Sequence, residues 1–307
     1  MAIRVVSISN SEKQETQLKS GARKMSIQGW IVEILKYLIL VTLAITFLLP
    51  LYWMASSALK TDPMVYSAPP VWIPIPPRWQ NYIEAWNIDR FNLYLFNTVF
   101  RYSIPATIGV VLSSTIVAYG FSRVRWPLRN VFFALCMATM MIPGQVTMVP
   151  LFVLFRKFGW LNTYLPMVVP AYFGNAYYIF MLRQFFRTIP QDLTDAARID
   201  GATEIQVLWN ILLPLIRPAL AVVALFAFMG TWNDYMGPLI YINRASLNPL
   251  SVGLASLSSS LSGKGISKLV YPYLMAVSTI ITLPIVLIFF FAQRTFVEGI
   301  SLTGMKG

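Results

Sequence analysis

Residues 37–59 read YLILVTLAITFLLPLYWMASSAL, an uncharged apolar run of 23 residues. About 20 such residues are enough to cross the hydrocarbon core of a bilayer as a helix. Five more runs of this kind follow, giving spans at about 37–59, 95–122, 130–155, 158–182, 218–241 (interrupted by Asp234) and 269–293. The composition agrees. Of the 307 residues, 57% are hydrophobic and 12% charged, about half the fraction usual in soluble domains, and mean hydropathy is +0.62. So few charges cannot cover a soluble protein of this size. Strands of an outer-membrane barrel would alternate over about 10 residues, and these runs are solidly apolar. The fold class predicted is all-α, a polytopic membrane protein with six transmembrane helices.

The net charge of +12 comes from 24 Lys and Arg against 12 Asp and Glu. The basic residues lie between the apolar runs, so they speak for orientation in the membrane. With the amino terminus inside, the inner segments hold about 15 of the 24. The short loop with Arg123, Arg125 and Arg129 argues most strongly for this orientation; Arg156 with Lys157, and Lys264 with Lys268, argue against it. Residues 1–30 are polar and read as a cytoplasmic tail, and 31–307 as the membrane domain, with both termini cytoplasmic. The run after the tail is too long for a signal-peptide core and reads as a retained span. Six prolines between 60 and 80 mark an irregular outer loop. Trp53, Trp126, Trp160 and Trp232 lie near span ends, where interfacial aromatics belong. Pro105, Gly109, Pro143, Gly144, Pro166, Pro170 and Pro284 fall inside the runs, either as kinks satisfied by neighbouring helices or as hinges. The absence of His removes His-ligated metals and His-based triads, and the single Cys136 permits no intramolecular disulfide.

One inner segment is too long for a connection. Residues 189–218 read IPQDLTDAARIDGATEIQVLWNILLPLIRP. Pro190 suits the first turn of a helix. Leu193, Ala196, Ala197 and Asp200 share a helical face, and Gly201 breaks the helix. Thr203 with Gln206 forms a capping box for a second helix. Ile205, Leu208, Trp209, Leu212 and Leu213 then make an amphipathic stripe. The pattern predicts a helix–turn–helix over 189–217 whose small residues Ala196, Ala197, Gly201 and Ala202 admit close approach of another backbone. Asp195 and Asp200 flank them and are available to partner cations.

This segment resembles the EAA loop of permease subunits of ATP-binding-cassette importers. Asp195-Ala196-Ala197-Arg198-Ile199-Asp200-Gly201-Ala202, then Ile211-Leu212-Leu213-Pro214, follows that loop's spacing, with Asp195 for its usual Glu. Leu49 to Trp53, Trp232 to Tyr235 and residues 293–307 resemble, less specifically, the second permease of the carbohydrate-uptake, maltose-type subfamily. The resemblance implies a non-catalytic subunit of a prokaryotic cytoplasmic-membrane importer for a sugar or oligosaccharide. Its partners would be a homologous permease, two ATPase subunits and an extracytoplasmic sugar-binding protein, amid membrane lipid and with no nucleic acid. The loop would dock on an ATPase through Asp195, Ala196, Ala197, Asp200, Gly201 and Ala202. ATP and Mg would be held by the ATPases, with no cofactor on this chain. The residues agree that it is no ATPase: a phosphate loop needs G-x-x-x-x-G-K-[ST], and in residues 299–306 Met305 stands at the Lys position.

Polar residues at membrane depth usually face a cavity or a neighbour. Asn97, Gln145, Asn175, Tyr177, Tyr178, Asn233 and Asp234 are the candidates. Asn175, Tyr177, Asn233 and Asp234 are the expected substrate-path residues, because Asn and Asp beside aromatics match sugar hydroxyls. The other reading of Asp234 is a structural pair at the outer rim. Two competing functions are a permease for a non-sugar solute and a stand-alone secondary transporter. The latter should carry inverted repeats and buried ionisable coupling residues.

Overall fold

The computed structural model describes residues 27–263 and 270–304. Most of the predicted tail, the Lys264 and Lys268 pair, and the last residues of the resembling carboxyl segment lie outside them. Among the described residues, every regular element is helical. The chain forms two units, 1–53 and 54–307.

Helix α1 (Ile27–Ala58) carries the first apolar run. Lys36 pairs with Glu33 at 2.8 Å ahead of the apolar stretch. Within that stretch, the Thr46 hydroxyl donates to the Thr42 carbonyl at 2.8 Å, so that hydroxyl is satisfied inside the helix.

The second unit is held together at both ends. The proline-rich stretch forms one helical turn, Asp62–Val65, and is otherwise irregular. The fully buried Asn81 anchors it, donating to the carbonyls of Ala58 at 2.8 Å and Lys60 at 2.9 Å. Asn81 belongs to α2 (Gln80–Asn87). Helix α3 (Phe91–Ser122) is the central span and starts four residues before its predicted bound at 95. Its segment Asn97–Ser103 is π-helical. The looser turn precedes Pro105, which lacks an N–H, and it rotates Asn97 inward. Asn97 there donates to the carbonyls of Ser246 and Asn248, both at 3.0 Å.

The third predicted span is two helices, α4 (Arg129–Thr139) and α5 (Gly144–Lys157), bent by 94°. Pro143 has extended backbone, so the helix restarts rather than kinks. The fourth, Leu165–Thr188, begins later than predicted, because 159–164 form turns and bends rather than helix. It passes through a 3₁₀ segment (Val169–Phe173) before α6 (Ala176–Thr188). The docking segment comprises α7 (Asp192–Ile199) and α8 (Glu204–Leu215), and α8 meets α9 (Arg217–Trp232) at 84°. The fifth span breaks again at 233–235 before α10 (Met236–Tyr241). Then come α11 (Leu250–Gly263), which the sequence reading omits, and α12 (Val270–Gly304). Among the described residues, four helices are long and apolar enough to cross a membrane, up to six crossings if each bent pair is one.

Helix α3 packs chiefly against α6, the 3₁₀ segment and α9, and α12 packs against α9, α2 and α11. A Cβ on Gly253 of α11 would fall inside the buried Tyr94 ring of α3. Gly253→Val is therefore expected to lose roughly 1–3 kcal/mol by overpacking and to lower the thermal midpoint of the detergent-solubilised chain.

Candidate functional site

The docking segment is built as a fixed turn. Helix α7 ends with Asp200, and Gly201 follows at φ +84°, a left-handed conformation that glycine adopts without a Cβ penalty. The Ala202 N–H donates to the Ala197 carbonyl at 2.9 Å and the Gly201 N–H to the Arg198 carbonyl at 3.1 Å. These two bonds close a Schellman motif. Directly after it the capping box is present: the Gln206 N–H donates to Thr203 Oγ1 at 3.4 Å, and the Thr203 N–H to Gln206 Oε1 at 2.8 Å.

Ionic contacts bridge the turn. Arg198 donates to Glu204 Oε1 at 2.8 Å and Oε2 at 3.2 Å, and to Asp195 Oδ1 at 2.9 Å. The buried Tyr119 of α3 donates its hydroxyl to Glu204, tying the turn to the central span. Arg123, at the end of α3, donates to the carbonyls of Phe186 and Ile189 and fixes the exit from α6. The Arg123 carbonyl in turn accepts from Arg198 at 3.4 Å. Sequence reasoning missed Tyr119, Arg123, Arg198 and Glu204 as a set. Arg198 and Glu204 lie six apart across a turn, a spacing no helical rule pairs.

Several expectations need correcting. Pro190 precedes α7 and does not sit in its first turn. The buried face of α7 is Thr194 and Ala197, while Leu193, Ala196 and Asp200 are exposed. Residues Val207–Leu212 are π-helical, and the inward positions are Val207, Leu208, Leu212 and Ile216. Ile205 and Trp209 of the expected stripe face outward. Asp195 is engaged by its own chain's Arg198. The segment thus presents Leu193, Ala196, Ile199, Asp200, Gly201 and Ile205, with Ile199 85% exposed.

Glu204 lies outside the spans. The Arg198 guanidinium, with the Tyr119 hydroxyl, holds its carboxyl below the usual carboxylate range. A depressed acid adds stability that is present above its unfolded value, about 4.3, and is lost as pH falls through the folded value. The contact is therefore expected to be constant from pH 8 to about 5 and to weaken only as pH falls below the usual carboxylate range. Glu204→Gln should remove this acid limb from a thermal-shift profile against pH.

The expected path residues separate into two groups. Asn175 caps α6, accepting from the N–H groups of Tyr177 at 3.0 Å and Tyr178 at 3.4 Å; Tyr177 is half-exposed beside it. Asn233 donates to the Met229 carbonyl at 2.9 Å at the end of α9. Asp234 accepts from the Tyr102 hydroxyl at 2.5 Å and the Gly237 N–H at 3.1 Å, joining α3 to α10. Among the described residues, no direct hydrogen bond joins the two groups. Asp234 shares a cleft of about 350 Å³ with Gln145 and Tyr241, at the break between α4 and α5.

An all-helical membrane bundle with broken spans and a rigid turn exposed at one end has the architecture of a transport-system membrane subunit. Residues 109–301 match the family described as the inner membrane component of binding-protein-dependent transport systems. The chain belongs to this family, as an ABC transporter permease. It is 33% identical over 275 residues to the sn-glycerol-3-phosphate transport system permease protein UgpE of Yersinia enterocolitica, covering 88% of this chain and 96% of that one. It is 34% identical over 230 residues to the arabinooligosaccharides transport system permease protein AraQ of Halalkalibacterium halodurans, covering 72% and 80%. Among solved structures, a chain of a bacterial ABC transporter that imports the acidic polysaccharide alginate superposes with TM-score 0.73 at 25% identity, covering 88% and 98%.

Proposed function

We propose that this chain is the permease subunit of an ATP-driven importer for a sugar or oligosaccharide, with Asp195, Ala196, Ala197, Asp200, Gly201 and Ala202 as the seat of an ATPase subunit. The observation that carries this reading is the Schellman turn itself, conformationally fixed yet displaying the apolar Ile199 and Ile205 outward. An exposed apolar surface on a rigid mount is a contact surface in waiting. Because Tyr119 and Arg123 tie the turn to α3 and α6, movement of a docked ATPase passes to the spans as rigid-body motion. In this reading both termini and the turn are cytoplasmic, residues 1–30 are a tail and 31–307 the membrane domain. A second permease, two ATPases carrying ATP and Mg, and an extracytoplasmic binding protein complete the machine; the chain binds no cofactor of its own. Solute passes the cleft of Gln145, Asp234 and Tyr241, and Asn175, Tyr177 and Asn233 serve it indirectly by shaping the broken helix ends.

The test is ATP hydrolysis by the complex reconstituted with the permease, ATPases and binding protein encoded beside it, across a panel of sugars, an arabinooligosaccharide and sn-glycerol-3-phosphate. Stimulation by a saccharide-loaded binding protein is expected. Stimulation by glycerol phosphate alone would move the solute class to phosphorylated polyols, and no stimulation by any member would overturn the sugar reading.

A further inference from the structure

The loop between α3 and α4, with the end of α6, encloses a cleft of about 890 Å³ lined by Arg123, Arg125, Arg129, Arg183 and Arg187. No Asp or Glu lines it. The docking turn uses Arg198 and Arg123, so the proposed transport role leaves the rest of this cluster unexplained. Two of the five arginines serve the fold. Arg123 holds the α6 carbonyls, and Arg183 donates to the Phe121 carbonyl at 3.3 Å and lies over the Phe133 ring at 3.9 Å. Arg129 spends one N–H on the Val124 carbonyl. Arg125 and Arg187 bond to no described residue. Arg123 Nε is buried, lacks a partner and belongs to a side chain 4% exposed. Five like charges around one cleft repel one another unless an anion sits among them.

The surroundings select the anion. A second cavity of about 270 Å³ adjoins the first, shares Arg125, Arg129 and Asn130, and adds Trp126, Leu128 and Val131. Leu128, Val131 and Phe132 are all at least half exposed. A free phosphate would need only the arginines, whereas a phospholipid needs both features: cations for the phosphodiester and an apolar shelf for the acyl chains. The cleft also sits where α3 and α6 end and α4 begins, and the ends of spans are where lipid headgroups lie. We propose that it binds the headgroup of an anionic phospholipid, phosphatidylglycerol or cardiolipin, in the leaflet on the docking-turn side. That this leaflet is the cytoplasmic one rests on the orientation proposed above; the site does not. Since Arg123 both lines the cleft and accepts from Arg198, an occupied site also braces the docking turn.

The experiment is native mass spectrometry of the full chain in detergent, titrated with phosphatidylglycerol, cardiolipin and phosphatidylcholine. The variant is Arg125→Gln with Arg129→Gln and Arg187→Gln, which spares the two arginines that hold the fold. Its affinity for the anionic lipids should fall roughly 100-fold, since each surface cation near an anionic headgroup contributes about fivefold. Phosphatidylcholine should bind weakly to both forms. Arg156→Gln with Lys157→Gln, at another basic pair, should bind anionic lipid like the wild type. Equal retention of phosphatidylcholine, or undiminished anionic-lipid binding by the triple variant, overturns the proposal. So does displacement of bound lipid by excess inorganic phosphate, which would make the cleft a free-anion site. Loss of ATPase co-purification in the triple variant with lipid binding intact would assign the arginines to a protein partner and overturn it as well.

Discussion

Gly201→Pro is expected to abolish solute uptake while the chain still reaches the membrane in normal amount. Proline fixes φ near −65°, and the native turn requires +84°. The substitution also deletes the N–H that donates to the Arg198 carbonyl, so both bonds of the Schellman motif lose their geometry. The local cost is about 3 kcal/mol or more, which corresponds to roughly a hundredfold loss of correctly formed docking turn. Helices α3, α6 and α9 do not depend on this turn, so membrane insertion is preserved. Gly201→Ala is the graded companion. A Cβ there meets nothing within 4 Å, so in the isolated chain only the left-handed conformation is penalised, by about 1 kcal/mol. In the complex, a close-seated ATPase adds a steric penalty. ATPase affinity should therefore fall by more than the roughly fivefold that conformation alone explains. Wild-type uptake by Gly201→Pro, at equal membrane abundance, would falsify the docking assignment.

The turn was legible from sequence because its determinants are local. Gly201, Thr203 and Gln206 act on backbone groups within four residues of themselves, and the structure shows the C-cap and the capping box where the spacing puts them. The spans were legible as apolar runs for the same reason, since length and composition suffice. What sequence reading misplaced were the faces. Both π-helical segments, Asn97–Ser103 and Val207–Leu212, break the 3.6-residue period on which face assignment rests. The first is fixed by tertiary demand: Asn97 reaches the carbonyls of Ser246 and Asn248, about 150 residues away. The breaks inside the third and fifth runs were hidden differently. Hydropathy reports that a stretch prefers lipid; it does not report whether the stretch crosses straight or turns back at Pro143 or Asn233. Among the expected path residues, Asn175 reads from sequence as a polar residue at depth. Only the bonds its side-chain carbonyl accepts from the Tyr177 and Tyr178 N–H groups show that it caps a restarted helix.

Asp234→Ala and Tyr102→Phe should each destabilise the chain and do so non-additively. The carboxylate accepts from the Tyr102 hydroxyl and from the Gly237 N–H, so it starts α10 and fastens it to the π-helical part of α3. Removing it strands the Tyr102 hydroxyl, on a residue 5% exposed, at a cost of about 1–3 kcal/mol. Tyr102→Phe removes the same bond from the other side, leaving Asp234 with Gly237 alone. A double-mutant cycle on thermal midpoints should then return a coupling energy of about 1 kcal/mol or more. Gly237→Ala provides an independent check. Its Cβ would lie 2.5 Å from the carboxylate oxygen that Tyr102 uses, so it should displace the carboxylate and reproduce the Tyr102→Phe loss. Because Asp234 also lines the cleft with Gln145, its second role shows in transport and not in stability. Tyr102→Phe should leave the half-saturating solute concentration unchanged at permissive temperature, whereas Gln145→Ala should raise it with the thermal midpoint intact. Additive losses in the cycle would mean that the Asp234–Tyr102 bond is not what joins α3 to α10.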